Sequence, residues 1–388
     1  MAEANVKKKS PLWHIAGATV TTFVVLWIYK TIALNLTLFS PLAKAIGDYS
    51  MDDFYYQLLA QADEADSSTV VSIVDITDVY GRDELADLIV QVEEQGAKVV
   101  GIDCVFEGLK EDKPYGDSLI AAVATRYDNI VFAYKLISDS WDGDQWTITR
   151  NSFFADSLGK YNQGFIDFER SIYGDMKRNV IVADSVMGEL RPSLCKIVAD
   201  KYAGQETVKL KKGDIRVNFS PTEYQVIPPD SISEYRNYIA DRVVFLGTMR
   251  DESDMHYTPQ GKIAGVKLLA YSVETLLEQK EIIEASGWVL WLASFLLVFV
   301  VIYFFDRYAV LVARVGNELL GYLLSSILVK GIIKFLLMAV FVWGAFILFC
   351  QENISINLAY ALAAIPFTVS AENLFNILVK NFKNNKKQ

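Results

Sequence analysis

The sequence predicts an α/β domain with a mostly parallel central sheet and an inserted antiparallel portion. Four transmembrane helices flank it, one N-terminal and three C-terminal. Three observations predict this. Residues 70–106 read as strand, turn, helix, strand, from VVSIVDI to KVVGIDCVF. The chain is 52% hydrophobic, with its apolar residues concentrated at both ends, as membrane spans would be. The basic residues near those spans fall into three short segments, which one orientation of four spans places on one side.

At the N-terminus, Lys7, Lys8 and Lys9 precede an apolar stretch from Leu12 to Leu38. No small-x-small cleavage site follows within reach. The expectation is a cytoplasmic N-terminus over 1–11 and an uncleaved anchor over 12–38. Residues 39–65 read as a helical connector with Phe54, Tyr55, Leu58 and Leu59 as its apolar contacts.

The soluble domain is expected over 66–284. VVSIVDI is β-branched and uninterrupted, as a strand buried on both faces should be. Leu85, Leu88, Ile89 and Val92 fall at helical spacing, and Gly96 sits where a helix C′ glycine would. A helix crossing over between two buried strands implies a right-handed parallel pair. Tyr115 to Tyr127 reads as a helix, and Asn129 to Leu136 as a third buried strand. Ser138 to Trp146 is polar, a loop or hairpin tip. Gly164 to Val180 reads as two short strands around a Gly174 turn. Lys177 and Arg178 are expected to pair with Asp167 and Glu169 across it. Arg191 to Ala203 is expected to be helical, Ile215 to Phe219 a strand and Arg242 to Thr248 a fourth buried strand. An acidic loop, Asp251 to Pro259, and an amphipathic helix, Ile263 to Leu277, complete the domain.

Spans two to four are expected at 287–305, 332–350 and 358–379, with Pro366 bending the last. Arg307, Arg314, Lys330 and Lys334 lie in or beside the segment 306–331. The tail 380–388 carries four lysines, and the loop 351–357 has no positive charge. The rule that basic loops stay inside then puts 306–331 and the tail in the cytoplasm and the soluble domain outside. The segment 308–331 is apolar for a loop. Two readings stay open: a helix lying on membrane lipid, or an extension of the third span.

A net charge of −10, with most carboxylates between Asp48 and Glu284, argues against nucleic-acid binding. Cys104, Cys195 and Cys350 lie in apolar contexts and read as buried thiols. A Cys104–Cys195 disulfide is the alternative outside the cytoplasm.

Several stretches together resemble the second type of CHASE domain, the extracellular sensory domain associated with bacterial adenylate cyclases and histidine kinases. They are VVSIVDITDVYGR with Asp75 and Asp78, GAKVVGIDCVF with Asp103, GDSLIAAVATRYDNIVFA and GFIDFERSIYGDMKR. The last is VVFLGTMRDESDMHYTPQGKIAGVKLLAYSVETLL, with its strand, glycine, Asp, Thr-Pro and helix. The resemblance covers residues 50–285 and extends to the layout of one preceding and three following spans. It implies a sensor in a bacterial inner membrane. Such domains usually lead into an output domain. Here Gln388 follows nine residues after Val379, so the expectation is that output belongs to a partner membrane or cytoplasmic protein.

The candidate site is the set of carboxylates where parallel strands end, the edge at which open α/β sheets bind ligands. Asp75, Asp78, Asp103 and Asp254 are the candidate ligand-binding residues, with Thr258 of the Thr-Pro step. Asp75, Asp103 and Asp254 would supply the oxygen ligands that a divalent cation takes. The competing reading is that each Asp caps a helix or a turn. His256, in the spacing D-x-x-D-x-H, is weighed as a metal ligand against a loop residue. Trp141, Trp146 and Tyr161 are weighed as a contact patch against separately exposed rings. The sequence holds no Gly-x-Ser-x-Gly elbow and no glycine-rich phosphate loop, so no catalytic residue and no organic cofactor are expected. Glu372, inside the last apolar run, is a candidate intramembrane contact. A ligand- or protein-binding sensor is the favoured function, with a homodimer as its arrangement. The alternatives are a constitutive subunit of an envelope complex and a metal-assisted extracytoplasmic enzyme.

Overall fold

The structure, a computed structural model, describes residues 9–35, 50–62, 65–137, 141–168 and 176–385. The chain forms two compact units. One is residues 52–282; the other combines residues 1–51 with 283–388.

The first unit begins with α1 (Met51–Ala62). Units of strand and helix follow: β1 (Asp66–Asp75), α2 (Arg82–Glu94), β2 (Val99–Ile102), α3 (Pro114–Arg126) and β3 (Ile130–Leu136). Short strands β4 (Thr149–Arg150) and β5 (Gln163–Phe165) both add to the free side of β3. An inserted antiparallel sheet comes next, from β6 (Asn179–Val186) and β7 (Glu189–Pro192), through α4 (Leu194–Ala203), to β8 (Gly213–Arg216). The chain then returns to the main sheet with β9 (Thr222–Ile227) and β10 (Val243–Gly247). The hairpin β11 (Met255–Thr258) and β12 (Gly261–Ala264) leads into α5 (Gly265–Glu278).

Among the described residues the main sheet has seven strands, with β10 inserted between β2 and β1 and β9 at one edge. All its pairings are parallel except β3 with β4. The fold class read from the sequence is the one observed. Alternation along the strands divides the core. Val74, Val100, Ile102, Val244 and Leu246 share a cluster with Leu85, Ile89 and Val92 of α2 and Ile120 of α3. The remaining strand positions, among them Ile73, Val99, Val131 and Phe245, are equally buried, on the face toward α4 and α5. Burial on both faces explains the uninterrupted apolar runs.

The strand expected at Ile215–Phe219 is observed at Gly213–Arg216, and two further boundaries differ from expectation because a strand claims the segment. The segment before α4 is strand: Pro192 pairs with Ala183 in β7, and Ser193 caps the helix by accepting the Lys196 N–H. Gly261 to Ala264 is likewise drawn into the β11–β12 hairpin, so α5 starts at Gly265. The expected Gly174 turn lies outside the described residues. Phe168 and Val180 form an antiparallel bridge across that segment, and Arg178 forms a two-pronged ion pair with Asp53 of α1, at 2.6 and 3.0 Å. Next to it Arg216 pairs with Asp52 at 2.7 Å, and the Arg216 carbonyl accepts the Ile282 N–H at 3.2 Å. The inserted sheet therefore grips both the first and the last residues of this unit.

Helix α5 is fixed on the sheet by polar contacts as well as burial. Glu274 accepts hydrogen bonds from Ser68 of β1 and, at 2.8 Å, from Tyr224 of β9. The Asn218 N–H donates to Thr275 at 3.0 Å.

In the second unit, four helices among the described residues are long and apolar enough to cross a membrane. The first runs from Leu12 to Asn35, the second from Gly287 to Val312 and the third from Ile327 to Glu352. The fourth runs from Ala359 to Asn385 and bends through a 3₁₀ turn at Ile365–Phe367, around Pro366. Residues 308–331 take neither single form. Their start extends the second helix, Glu318–Ser325 forms a short helix, and Ile327 opens the third.

Contacts at the helix ends show which ends lie together. The Ser10 N–H donates to Asp306 at 3.1 Å, and His14 bonds Asn376 at 2.6 Å. At the opposite end Lys30 donates to the Tyr360 hydroxyl at 2.8 Å, and Ile283–Glu284 pairs with Ile354–Ser355. The described basic residues near the second-to-third connection and in the tail thus share one end, opposite Lys30, Tyr360 and the Ile283–Ile354 pairing. That is the arrangement the charge distribution requires.

Candidate functional site

The carboxyl ends of the parallel strands carry three groups of charge. The first is deep. Arg82 opens α2 and is buried, with an ion pair to Asp117 of α3. It also donates to the carbonyls of Gly108 at 2.9 Å and Glu107 at 3.0 Å. Asp117 further accepts the Lys110 N–H at 2.6 Å. This group fastens the long β2–α3 loop, with both charges answered within the protein.

The second group holds Asp75 and Asp78. Asp75 ends β1. Burial pushes its carboxyl up, but hydrogen bonds from Thr77 and the Met249 N–H, with the Arg250 charge, outweigh that and hold it below the usual range. Arg250 bridges the pair, at 3.3 Å to Asp75 and 2.6 Å to Asp78. The guanidinium stands where the sequence reading placed a cation.

The third group is open. A cavity of about 320 Å³ lies at the ends of β2 and β3, walled by the β11–β12 hairpin, by Gly265 and Leu269 of α5, and by residues 166–168. Asp103, just past β2, and Lys135, near the end of β3, project on the sheet face that α5 covers, two residues on from Gly101 and Ala133. Asp254 and His256 enter from the hairpin, their nearest approach 3.7 Å. Asp167 lines the wall and accepts the Leu136 N–H at 2.7 Å. Burial pushes the Asp103 carboxyl up to about 7. The nearby negative charge of Asp254 adds to this, and Lys135 and His256 oppose it.

Two glycines make room here. A Cβ on Gly247, at the end of β10, would lie 2.6 Å from Val266 and 3.2 Å from Asp103. One on Gly265 would fall within 2.6–2.9 Å of the Asp254 carboxylate. Only with hydrogen at both positions can α5 and Asp254 stand so close to the sheet.

The structure therefore divides the predicted rim. Asp103 and Asp254 share the cavity, whereas Asp75 and Asp78 belong to Arg250. Thr258 belongs to neither group. It is buried in the hairpin turn, donating to the Gly261 carbonyl at 2.9 Å and accepting the Gln260 N–H at 3.2 Å. The cation set Asp75, Asp103 and Asp254 is not assembled: among the described residues no group of three His, Cys, Asp or Glu side chains stands in position to hold a metal ion. Cys104, Cys195 and Cys350 are free thiols, so the disulfide alternative is not realised. Trp146 is not part of an exposed patch either; it is buried and donates from Nε1 to Asp184 at 2.9 Å.

The sequence reading missed Lys135. Its signal was available, as the only charge in the buried run NIVFAYKL, in the same alternation as the inward-facing Ala133. A larger cavity, about 470 Å³ beside α4, is less suited to a ligand. Its buried Lys196 is already paired with Asp200, with Glu206 at 3.9 Å.

In the membrane unit Lys334 of the third helix donates to Thr368 of the fourth at 3.0 Å. Glu372 follows one turn later, close enough for its charge to act on Lys334.

Residues 21–304 match the family model described as the CHASE2 domain. The chain belongs to the CHASE2 family. No curated protein and no solved structure matches it. CHASE2 is an extracellular sensory domain family, and the cavity lies inside the CHASE2 region, at the sheet edge where such a fold binds ligands.

Proposed function

We propose that the chain is the receptor component of a signalling assembly in a bacterial inner membrane. Its CHASE2 domain stands outside the cytoplasm and binds a small polar ligand in the cavity at the ends of β2 and β3. It works through partner membrane or cytoplasmic proteins. One observation carries this reading: α5 begins as the cavity wall, runs 14 residues and about 21 Å, and ends at Glu278, with eight residues in sequence between it and the second membrane helix at Gly287. A ligand that favours one position of Gly265 and Leu269 acts on the last helix of the domain, which precedes the second membrane helix in sequence. Differential affinity for two states is what such a receptor needs.

The cavity is read as a binding site, without catalysis. The nearest nucleophile in sequence is Cys104, and burial, with the charges of Asp103 and Asp254, pushes its thiol up to about 12; it offers no thiolate at neutral pH.

The test uses the full-length protein in detergent and the low-molecular-weight fraction of a periplasmic extract. That fraction is expected to raise the unfolding temperature of the wild type, and to lose the effect with Asp103→Asn and His256→Ala. An effect unchanged by both substitutions would overturn the cavity as the sensory site. Co-purification from native membranes, with and without the extract fraction, examines signalling. A partner bound in the same stoichiometry under both conditions would favour the constitutive subunit.

A further inference from the structure

The cavity has charges of both signs, and two of them lack partners. The Asp103 carboxylate and the Lys135 ammonium have no hydrogen-bond or ion-pair partner among the described residues. Among the described residues the Asp254 carboxylate has only the 3.7 Å approach of His256. Asp103, partly withdrawn from water, loses solvation without recovering it within the protein, and the exposed Lys135 stands free at the cavity mouth to meet an anionic group. A purely anionic guest would meet Asp103, Asp254 and Asp167. A purely cationic one would meet Lys135 and Lys177, and an uncharged one would leave Asp103 facing Asp254 with like charge. A guest with an ammonium group and a carboxylate a few bonds apart satisfies both sets. The volume, about 320 Å³, is at the small end of the range for ligand sites.

We propose, building on the reading of this cavity as the sensory site, that its ligand is a small zwitterion of the α-amino-acid or dipeptide class. The ammonium group lies between Asp103 and Asp254, and the carboxylate lies against Lys135. Gly265 allows this by letting the Asp254 carboxylate close over the start of α5.

Isothermal titration of the full-length protein in detergent tests it, with diglycine and the free L-amino acids as probes. At least one of these zwitterions is expected to bind. Its N-acetyl form, which lacks the ammonium, and its amide, which lacks the carboxylate, are each expected to bind at least tenfold more weakly. The variants should separate the two ends. Asp103→Asn should erase the preference for the free amine and keep the preference over the amide; Lys135→Ala should do the reverse. Lys135 is exposed, so its variant supplies a folded protein should Asp103→Asn fail to fold. Equal binding of free and N-acetyl forms would overturn the proposal, as would binding indifferent to both substitutions. If none of the probes binds while the extract still stabilises the protein through Asp103, the zwitterion class falls and the sensory site stands. If the extract effect is also independent of Asp103, both fall.

Discussion

Two charge clusters at one sheet edge have opposite characters. Around β1, Asp75 and Asp78 are answered by Arg250, and Asp75 also receives Thr77 and the Met249 N–H. At the end of β2, the Asp103 carboxylate has no direct partner among the described residues and faces Asp254 across a cavity. In sequence the two are alike, an Asp closing a buried β-branched run. The difference lies in what other segments bring. Met249 and Arg250, just past β10, reach Asp75, while the hairpin after them brings Asp103 a second carboxylate. A sheet-edge aspartate becomes a structural cap or a binding group according to its partner.

The contrast can be broken most forcefully at its closed extreme. Arg82→Ala removes the partner of a buried carboxylate and two loop carbonyls. It is expected to cost about 3–5 kcal/mol, measured by urea unfolding followed through tryptophan fluorescence. A loss no greater than that of a surface substitution would show that the deep pair does not fasten the β2–α3 loop.

The open cluster gives the next effect, through pH. The folded chain holds the Asp103 proton more tightly than the unfolded chain does. Its contribution to stability is therefore complete at low pH and is lost as pH rises from the ordinary carboxylate range through about 7. At about 1.4 kcal/mol per pKa unit, discounted for part exposure, the loss is on the order of 2 kcal/mol. Asp103→Asn should abolish that slope and leave the variant the more stable protein at pH 8, read by thermal unfolding from pH 4 to 8. An unchanged slope would mean that Asp103 is not the group concerned.

Gly247→Ala sharpens the comparison by pressing α5 away from the sheet. The clash with Val266 is expected to cost about 1–3 kcal/mol and to weaken binding in the cavity. The Arg250 bridge should be untouched, as an unaltered pH dependence of Asp75 by NMR titration would show. The smallest effect should come from Arg250→Ala. Its guanidinium is exposed, so stability should change little and the change should vanish in high salt, while the Asp75 carboxyl moves up toward its usual range.

Much of the fold was legible because its signals are local. VVSIVDI, KVVGIDCVF and NIVFAYKL are apolar on both faces, which only a covered parallel sheet explains. The helix between the first two carries its apolar stripe at the correct spacing. The Pro192 and Ile263 boundaries were misread because each segment was claimed by a strand partner elsewhere in the chain. Pro192 pairs with Ala183 and Ile263 with His256. The candidate site was half legible. Asp103 and Asp254 could be named from their places at the ends of strands and loops. Arg250 as the owner of Asp75, and Lys135 as the neighbour of Asp103, depend on which segments meet.

The sequence by itself determined that this chain has a parallel α/β body between one apolar helix and three more. It also determined on which side of those helices the basic residues gather, because periodicity, run length and charge counts are properties of a segment alone. Only the tertiary structure decided that Arg250 seals one pair of aspartates, that Thr258 is a turn residue, and that a cavity of mixed charge remains at Asp103. Whether a charge is neutralised or left open depends on distances between residues far apart in the chain, and those distances exist only once the segments have packed.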